Sequence, residues 1–345
     1  MDELRVFTVG NENAAPLRFN PLAISPGVNV QTHIEGIATV IKSAFSLEPP
    51  LPYVLTQALY HVYYDRGWDL VKGSNPKGYA PETQPIMAAL VAAVHRIVAE
   101  STYVSEAKDN ILGALAMRLQ QLTLGSKALL FGSRTGLSMA ELAAAPTVLE
   151  LAAISDDDEK AFLMAAVLMS YSLYLQSQGL SNGVLKHVTI IDEAHRLLRS
   201  TLETAGTSDA NPRARAVESF CNMLAEIRAH GEALMVLDQV PSKLAPDMIK
   251  NTGLKVILRL AAKDDRELVS GSMLLDEQQT KYLATLSPGE AVVYAEGMDR
   301  ATLIRIPNHS SALSYSQATV SNDRIAAHMK AFGLSSMISA EKSTS

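Results

Sequence analysis

The chain changes its hydrophobic period once along its length. In "VQTHIEGIATVIKSAF" and "YVLTQALYHVYYDRGW" the apolar positions recur at intervals of three and four, which predicts amphipathic helices, and the prolines of "LEPPLP" separate the two. The same period predicts helices in "QPIMAALVAAVHRIVAE" and "AKDNILGALAMRLQQL", so a helical block covers roughly residues 30–123. Ahead of it, "RVFTVG" reads as a short strand and "NENAAPLRFNPL" as a loop. After it, "TVLELAA", "VTIIDEA", "ALMVLDQ" and "KVILRLA" are apolar runs of strand length separated by helical stretches. That alternation predicts an α/β fold with a parallel sheet covered by helices. "AVVYAEGMDRATLIRIP" predicts a β-hairpin turning at "GMDR", and the Ser- and Ala-rich tail carries one helix near "DRIAAHMKAFG".

Composition narrows the classes. With 48% apolar and 19% charged residues in 345, the chain has the make-up of a globular protein rather than a disordered one. A net charge of -6 argues against coating nucleic acid by bulk charge and leaves room for a local basic channel. Cys221 is the sole cysteine, which excludes an internal disulfide and a thiolate zinc cluster. The longest apolar run, "AFLMAAVLMSYSLYL", has 15 residues and two serines, short of the roughly 20 that cross a bilayer. "MDELRVF" lacks the pattern of a signal peptide. The expectation is a soluble, cytoplasmic protein with no membrane insertion. In "SDDDEKAFL", Ser155 followed by four acids predicts a capped helix start rather than a metal site.

Chemistry concentrates in "VTIIDEAHRLL". A buried strand that ends in adjacent carboxylates puts Asp192 and Glu193 at the carboxyl edge of a parallel sheet, where ligands collect. An apolar run followed by Asp-Glu is the Walker B pattern of nucleoside triphosphatases: Asp192 would hold Mg²⁺ through its water shell and Glu193 would polarise the attacking water. The competing reading makes both acids a cap for the following helix. The letters "DEAH" also match a box of two-lobed helicases, a reading that needs a second RecA-like lobe for which 345 residues leave little room. "ALMVLDQV" ends in Asp238 and Gln239, so a polar side chain at that tip would face a γ-phosphate. "SFCNMLAEIRAHG" predicts a helix ending at Gly231 with Arg228 in its last turn, placed either to suit the helix dipole or to reach a phosphate across a subunit boundary.

The order of "PLRFNPL", "LPYVLTQALYHVYYDRGWD", "TVLELAAISDDDEKAFLMAAVLM", "VTIIDEAHRLL", "EIRAHGEALMVLDQVPSKL" and "LSPGEAVVYAEG" resembles the HerA-type hexameric DNA translocases and their relatives among the conjugative-secretion ATPases. The resemblance runs in register from about residue 5 to 307 and rests on order and spacing more than on any single motif. It implies a RecA-like core of the ASCE P-loop class, a homo-hexamer, ATP and Mg²⁺ bound between subunits, and double-stranded DNA moved through the ring. The competing class, a non-hydrolysing subunit, would form rings or bind a nuclease or other effector protein. Carried over by position, Asp192 is the Mg²⁺ acid, Glu193 the catalytic base, Gln239 the sensor and Arg228 a finger or sensor arginine. Arg259 in "KVILRLA" lies on the next strand, where it is either a further nucleotide contact or without a role in the site. The implied domains are 1–22 as a first segment of the ATPase core, 23–135 as a helical insertion, 136–307 as the core with Walker B and hairpin, and 308–345 as a tail.

One part of the pattern is missing. A P-loop needs Gly-x-x-x-x-Gly-Lys-Ser/Thr, and no glycine in this sequence is followed by lysine. "GSNPKGY" and "GSRTGLS" read as loops. In the family the P-loop strand and helix precede the segment resembling "RVFTVGNENAAPLRFNPL", so the expectation is a core without that interior strand. Three explanations stand: a fragment, a P-loop supplied by another polypeptide, or a core that has lost hydrolysis and serves as a ring-forming or effector-binding scaffold. For DNA, "STLETAGTSDANPRARAVESF" puts Arg213 and Arg215 in the first turn of a helix, the wrong sign for the dipole. They either seek phosphate or are simply solvated.

Overall fold

The computed structural model describes residues 3–45, 47–134, 136–197, 221–308 and 320–331. Arg213 and Arg215 lie outside the described residues. The elements begin with β1 (Arg5–Thr8), followed by α1 (Val30–Phe45), α2 (Leu51–Tyr64) and α3 (Met87–Glu100). Next, α4 (Ser105–Ile111) runs through a π turn, Leu112–Ala116, into α5 (Met117–Gln121). That widened turn sits inside the stretch predicted as one regular helix; "ILGALA" carries a glycine there, and periodicity alone does not register a one-residue bulge. After α6 (Ser126–Gly132), α7 (Met139–Ala144) and β2 (Thr147–Glu150) comes α8 (Asp157–Ser177). The later strands are β3 (His187–Ile191), β4 (Glu232–Val236), β5 (Leu254–Ile257), β6 (Glu290–Ala295) and β7 (Thr302–Arg305).

The chain divides into two compact units: one gathers the described residues of 1–189, 209–233 and 320–345, the other those of 190–208 and 234–319. In the first, α8 is the central helix. Its residues from Phe162 to Leu175 are nearly all buried, the signature of a helix covered on every side. Its cap is Asp156, whose carboxylate accepts the Glu159 amide at 2.9 Å, rather than the expected Ser155. Both residues suit the position; the Asp156 carboxylate adds charge at the positive end of the dipole. Helix α1 lies against α8 so closely that a Cβ on Gly36 would sit 2.9 Å from Met169 Sδ. Strand β1 runs parallel to β2 with Arg5 opposite Thr147, and the helix Asn322–Ala331 is tied to β1 by the Val6 amide donating to Met329 Sδ.

Buried among the helices of this unit, His33 meets the ring of Tyr63 edge-on at 6.0 Å, and its Nε2 has no partner among the described residues. Burial lowers its pKa from 6.5 to about 4, partly offset by a hydrogen bond to the Pro21 backbone. A depressed histidine pKa means that the unfolded chain takes up the proton first, so stability is complete above pH 6.5 and drains away as pH falls towards 4. Between pH 7.5 and 5 the loss assigned to this one group is on the order of 2 kcal/mol. Urea unfolding at both pH values should show that loss in the native chain and a smaller one in His33→Phe; equal losses would refute it.

In the second unit, β5, β6 and β7 form an antiparallel sheet, with Leu254 opposite Ala295 and Glu290 opposite Arg305, so the expected hairpin is present. Val269, Met273, Leu283, Leu286 and Val292 make its core. Strand β4 pairs with β3. The pair runs in one direction, because the Lys186 amide donates to the Gly231 carbonyl at one end and the Leu237 amide to the Ile191 carbonyl at the other. Among the described residues, one face of the β3–β4 pair stays open: Ile190 is 60% exposed, Met235 47% and Leu237 43%. Parallel strands are normally covered on both faces.

Candidate active site

Strand β3 ends on buried Ile191, and the chain then turns sharply. Glu193 sits in the left-handed region (φ 50°, ψ 46°), uncommon for a residue with a side chain, and a single 3-10 turn, Ala194–Arg196, follows. Two amides dock this elbow on β4: Ala194 N–H donates to the Leu237 carbonyl at 3.3 Å and His195 N–H to Asp238 Oδ2 at 2.7 Å. Ala194 is fully buried, a position where a larger side chain would lift the elbow. The result presents two exposed carboxylates at the strand tip. Asp192 Oδ1 accepts the Glu193 amide at 2.9 Å, and Glu193 Oε2 accepts Arg196 Nε at 2.6 Å.

Across from them, β4 ends in Asp238 and Gln239. Residues 188, 190 and 192 share one side of β3, as 235, 237 and 239 share one side of β4, so the uncovered apolar face leads directly to Asp192 and Gln239. Gln239 is exposed, while the Asp238 carboxylate is only 3% exposed and is held by His195 and by the Val240 amide at 2.9 Å. Of the two polar residues at this tip, Gln239 alone is open to a ligand. At the opposite end of the pair, Glu232 is buried and accepts from Thr189 Oγ1 at 2.6 Å, from His187 Nδ1 at 2.9 Å and from Tyr171 OH at 3.2 Å. Burial and the Glu232 charge push the Tyr171 phenol up from its ordinary value.

The elbow that carries Asp192 and Glu193 and the loop that carries Gln239 therefore follow the ends of two paired strands. Arg228 lies in the other unit, exposed in the last turn of the helix closed by Gly231, and Arg259 is exposed two residues beyond the end of β5. Neither has an ion pair among the described residues, and each is free to meet an anion. Among the described residues no cluster of three metal-ligating side chains exists. Mg²⁺ in nucleotide sites needs one or two carboxylates plus phosphates, and Asp192, with one oxygen uncommitted to the Glu193 amide, fits that donor set. The His195–Asp238 pairing is not predicted from the sequence, although an imidazole two residues past Glu193 and an aspartate ending the next strand are its signal.

No protein-family model matches the chain. The solved VirB4 of Thermoanaerobacter pseudethanolicus superposes with a TM-score of 0.65 at 18% identity, over 88% of this chain and 76% of that one. The bacterial conjugative coupling protein TrwB superposes with a TM-score of 0.53 at 9% identity, over 89% of this chain and 74% of that one. The chain has the RecA-like α/β fold that VirB4 and TrwB share. TrwB has also been seen in complex with ADP and Mg²⁺, and that form matches with a TM-score of 0.52. Over 82 residues the chain is 32% identical to a "Probable DNA double-strand break repair helicase HerA" of Methanocaldococcus jannaschii. That match spans 24% of this chain and only 16% of the relative. No helix among the described residues is long and apolar enough to cross a membrane.

Proposed function

We propose that this chain is the catalytic body of an ATP-driven DNA translocase of the HerA type, an ATPase by resemblance, acting in the cytoplasm as a homo-hexamer on double-stranded DNA. The observation that carries the proposal is the elbow: Asp192 and Glu193 stand exposed at a strand tip beside Gln239, and Glu193 is held in a left-handed conformation that folding alone does not reward. Asp192 would hold Mg²⁺, which when bound supplies charge neutralisation on the phosphates. The Glu193 carboxylate would orient a water and accept its proton, with Arg196 fixing the carboxylate at 2.6 Å. Gln239 would offer its amide to the same water or to a phosphate oxygen. Arg228 and Arg259 would supply cations, and the DNA-contacting pair would be Arg213 and Arg215.

The phosphate cradle is the part that these residues do not supply, because GxxxxGK[ST] is absent from the sequence. The uncovered apolar face ending at Asp192 and Gln239 supports a cradle-bearing segment that lies over it. A second reading, a non-hydrolysing ring-forming or effector-binding subunit, draws on the same missing motif. A titration of the 345-residue chain with MgATP separates them when paired with the same titration of a longer product, the chain with a GxxxxGK[ST]-bearing segment joined in frame ahead of it. We expect weak binding by the chain alone, and DNA-stimulated hydrolysis once a GxxxxGK[ST] segment precedes it. Tight binding without that segment, or a longer product that carries the motif and does not hydrolyse ATP, would overturn the proposal.

For DNA, Arg213→Ala with Arg215→Ala should lower affinity for duplexes of any sequence and reduce the salt slope by about 2, as expected for two lost phosphate contacts. Fluorescence anisotropy at several salt concentrations reads both quantities. An unchanged slope would remove these residues from the channel.

A further inference from the structure

Asp238 is buried, and three donors converge on it. Its Oδ2 takes the His195 amide at 2.7 Å and the His195 ring Nδ1 at 2.9 Å, while Oδ1 takes the Val240 amide at 2.9 Å. An ionised carboxylate only accepts, so the His195 proton facing it is on Nδ1. Two residues further on, the Ser242 amide donates to Asp265 Oδ1 at 2.8 Å, and Asp265 is itself 5% exposed. The loop that carries Gln239 is therefore held at two points by buried carboxylates, and the first of them also grips the turn that carries Glu193.

We propose that Asp238 and His195 are a positioning pair that joins the β3 elbow to the Gln239 loop as one body, so that a ligand displacing either one moves the other. The inference rests on the nucleotide site proposed above and assigns it a coupling device. Neither residue meets the reacting atoms in this scheme: the Asp238 side chain is buried with both oxygens hydrogen-bonded to the protein, and His195 is needed for its Nδ1 donor. Charge-assisted hydrogen bonds at a buried carboxylate are roughly twice as strong as neutral ones, so the joint is stiff compared with the exposed Glu193–Arg196 pair beside it.

Asparagine and glutamine at position 195 separate the two ring nitrogens, since the Asn amide reproduces a donor at Nδ1 and the Gln amide one at Nε2. In the 345-residue chain, amide hydrogen exchange should quicken about tenfold in both 193–195 and 239–242 for His195→Gln and Asp238→Asn, and stay near the native rate for His195→Asn. Quickening confined to the altered segment, or His195→Asn failing as fully as His195→Gln, would overturn the coupling. The ¹⁵N spectrum of the native imidazole is independent of how the variants fold: a proton on Nδ1 supports the pair, and a neutral ring protonated at Nε2 sinks it. None of these readouts needs ATP. Exchange that links the two segments while MgATP perturbs neither in a hydrolysing longer product would leave the joint standing and remove the nucleotide site.

Discussion

Replacing Glu193 by Gln is expected to reduce ATP turnover by about 10²–10⁴-fold, the usual contribution of a positioned general base, in the longer product that hydrolyses ATP. MgATP affinity should change little, because the side chain would act on the water and not on the nucleotide. Stability should also hold within about 1 kcal/mol: the lost Arg196 partner belongs to a pair in which the Glu193 side chain is 48% exposed, and such pairs contribute little. Phosphate release, nucleotide titration and thermal melting together check the three parts. Turnover unchanged by Glu193→Gln would mean that the carboxylate serves only as a helix-start acid, the competing reading of the acid pair.

The second large effect is on folding. Gly231 closes the helix that bears Arg228 and opens β4, with φ at 90°, and a Cβ there would sit 2.7 Å from the Val184 carbonyl oxygen and 2.9 Å from Ser181 Cβ. Its own carbonyl accepts the amides of Lys186 at 2.8 Å and His187 at 3.2 Å, so a shift of Gly231 spoils the start of the β3–β4 pairing. Gly231→Val should therefore destabilise the chain by roughly 3–5 kcal/mol, combining the cost of a left-handed branched residue with backbone overlap. Gly179 provides the control: its φ is 83°, but nothing lies within 4 Å of an added Cβ. Gly179→Val carries the conformational cost alone, and denaturant midpoints that fell equally for both variants would sink the overlap argument.

Much of this architecture was legible in the letters because period and punctuation coincide. Strand-length apolar runs at "TVLELAA", "VTIIDEA", "ALMVLDQ" and "KVILRLA" all became strands, and the helices of 30–45 and 87–100 fall where the three-and-four spacing puts them. The acid pair stands out in the letters because an apolar run of strand length ends in two adjacent carboxylates. What escaped was orientation. Nothing in "LDQV" distinguishes a side chain turned inward from one turned outward, so Asp238 and Gln239 read alike until the pleat sent one into a hydrogen-bonded niche and the other into solvent. Pairing direction escaped too. The "KVILRLA" strand reads like its predecessors, yet it lies antiparallel to β6, because the hairpin after it folds back to meet its edge. The left-handed turn at Glu193 left no sequence signal, since no glycine or asparagine marks it.

The open side of the β3–β4 pair has a practical corollary. A surface on which Ile190, Met235 and Leu237 face solvent is a tacky patch, and colloidal behaviour will follow from it. Polypeptide prepared by itself should clump as ammonium sulfate or warmth strengthens apolar attraction, light up the dye ANS, and disperse when mild detergent coats the patch.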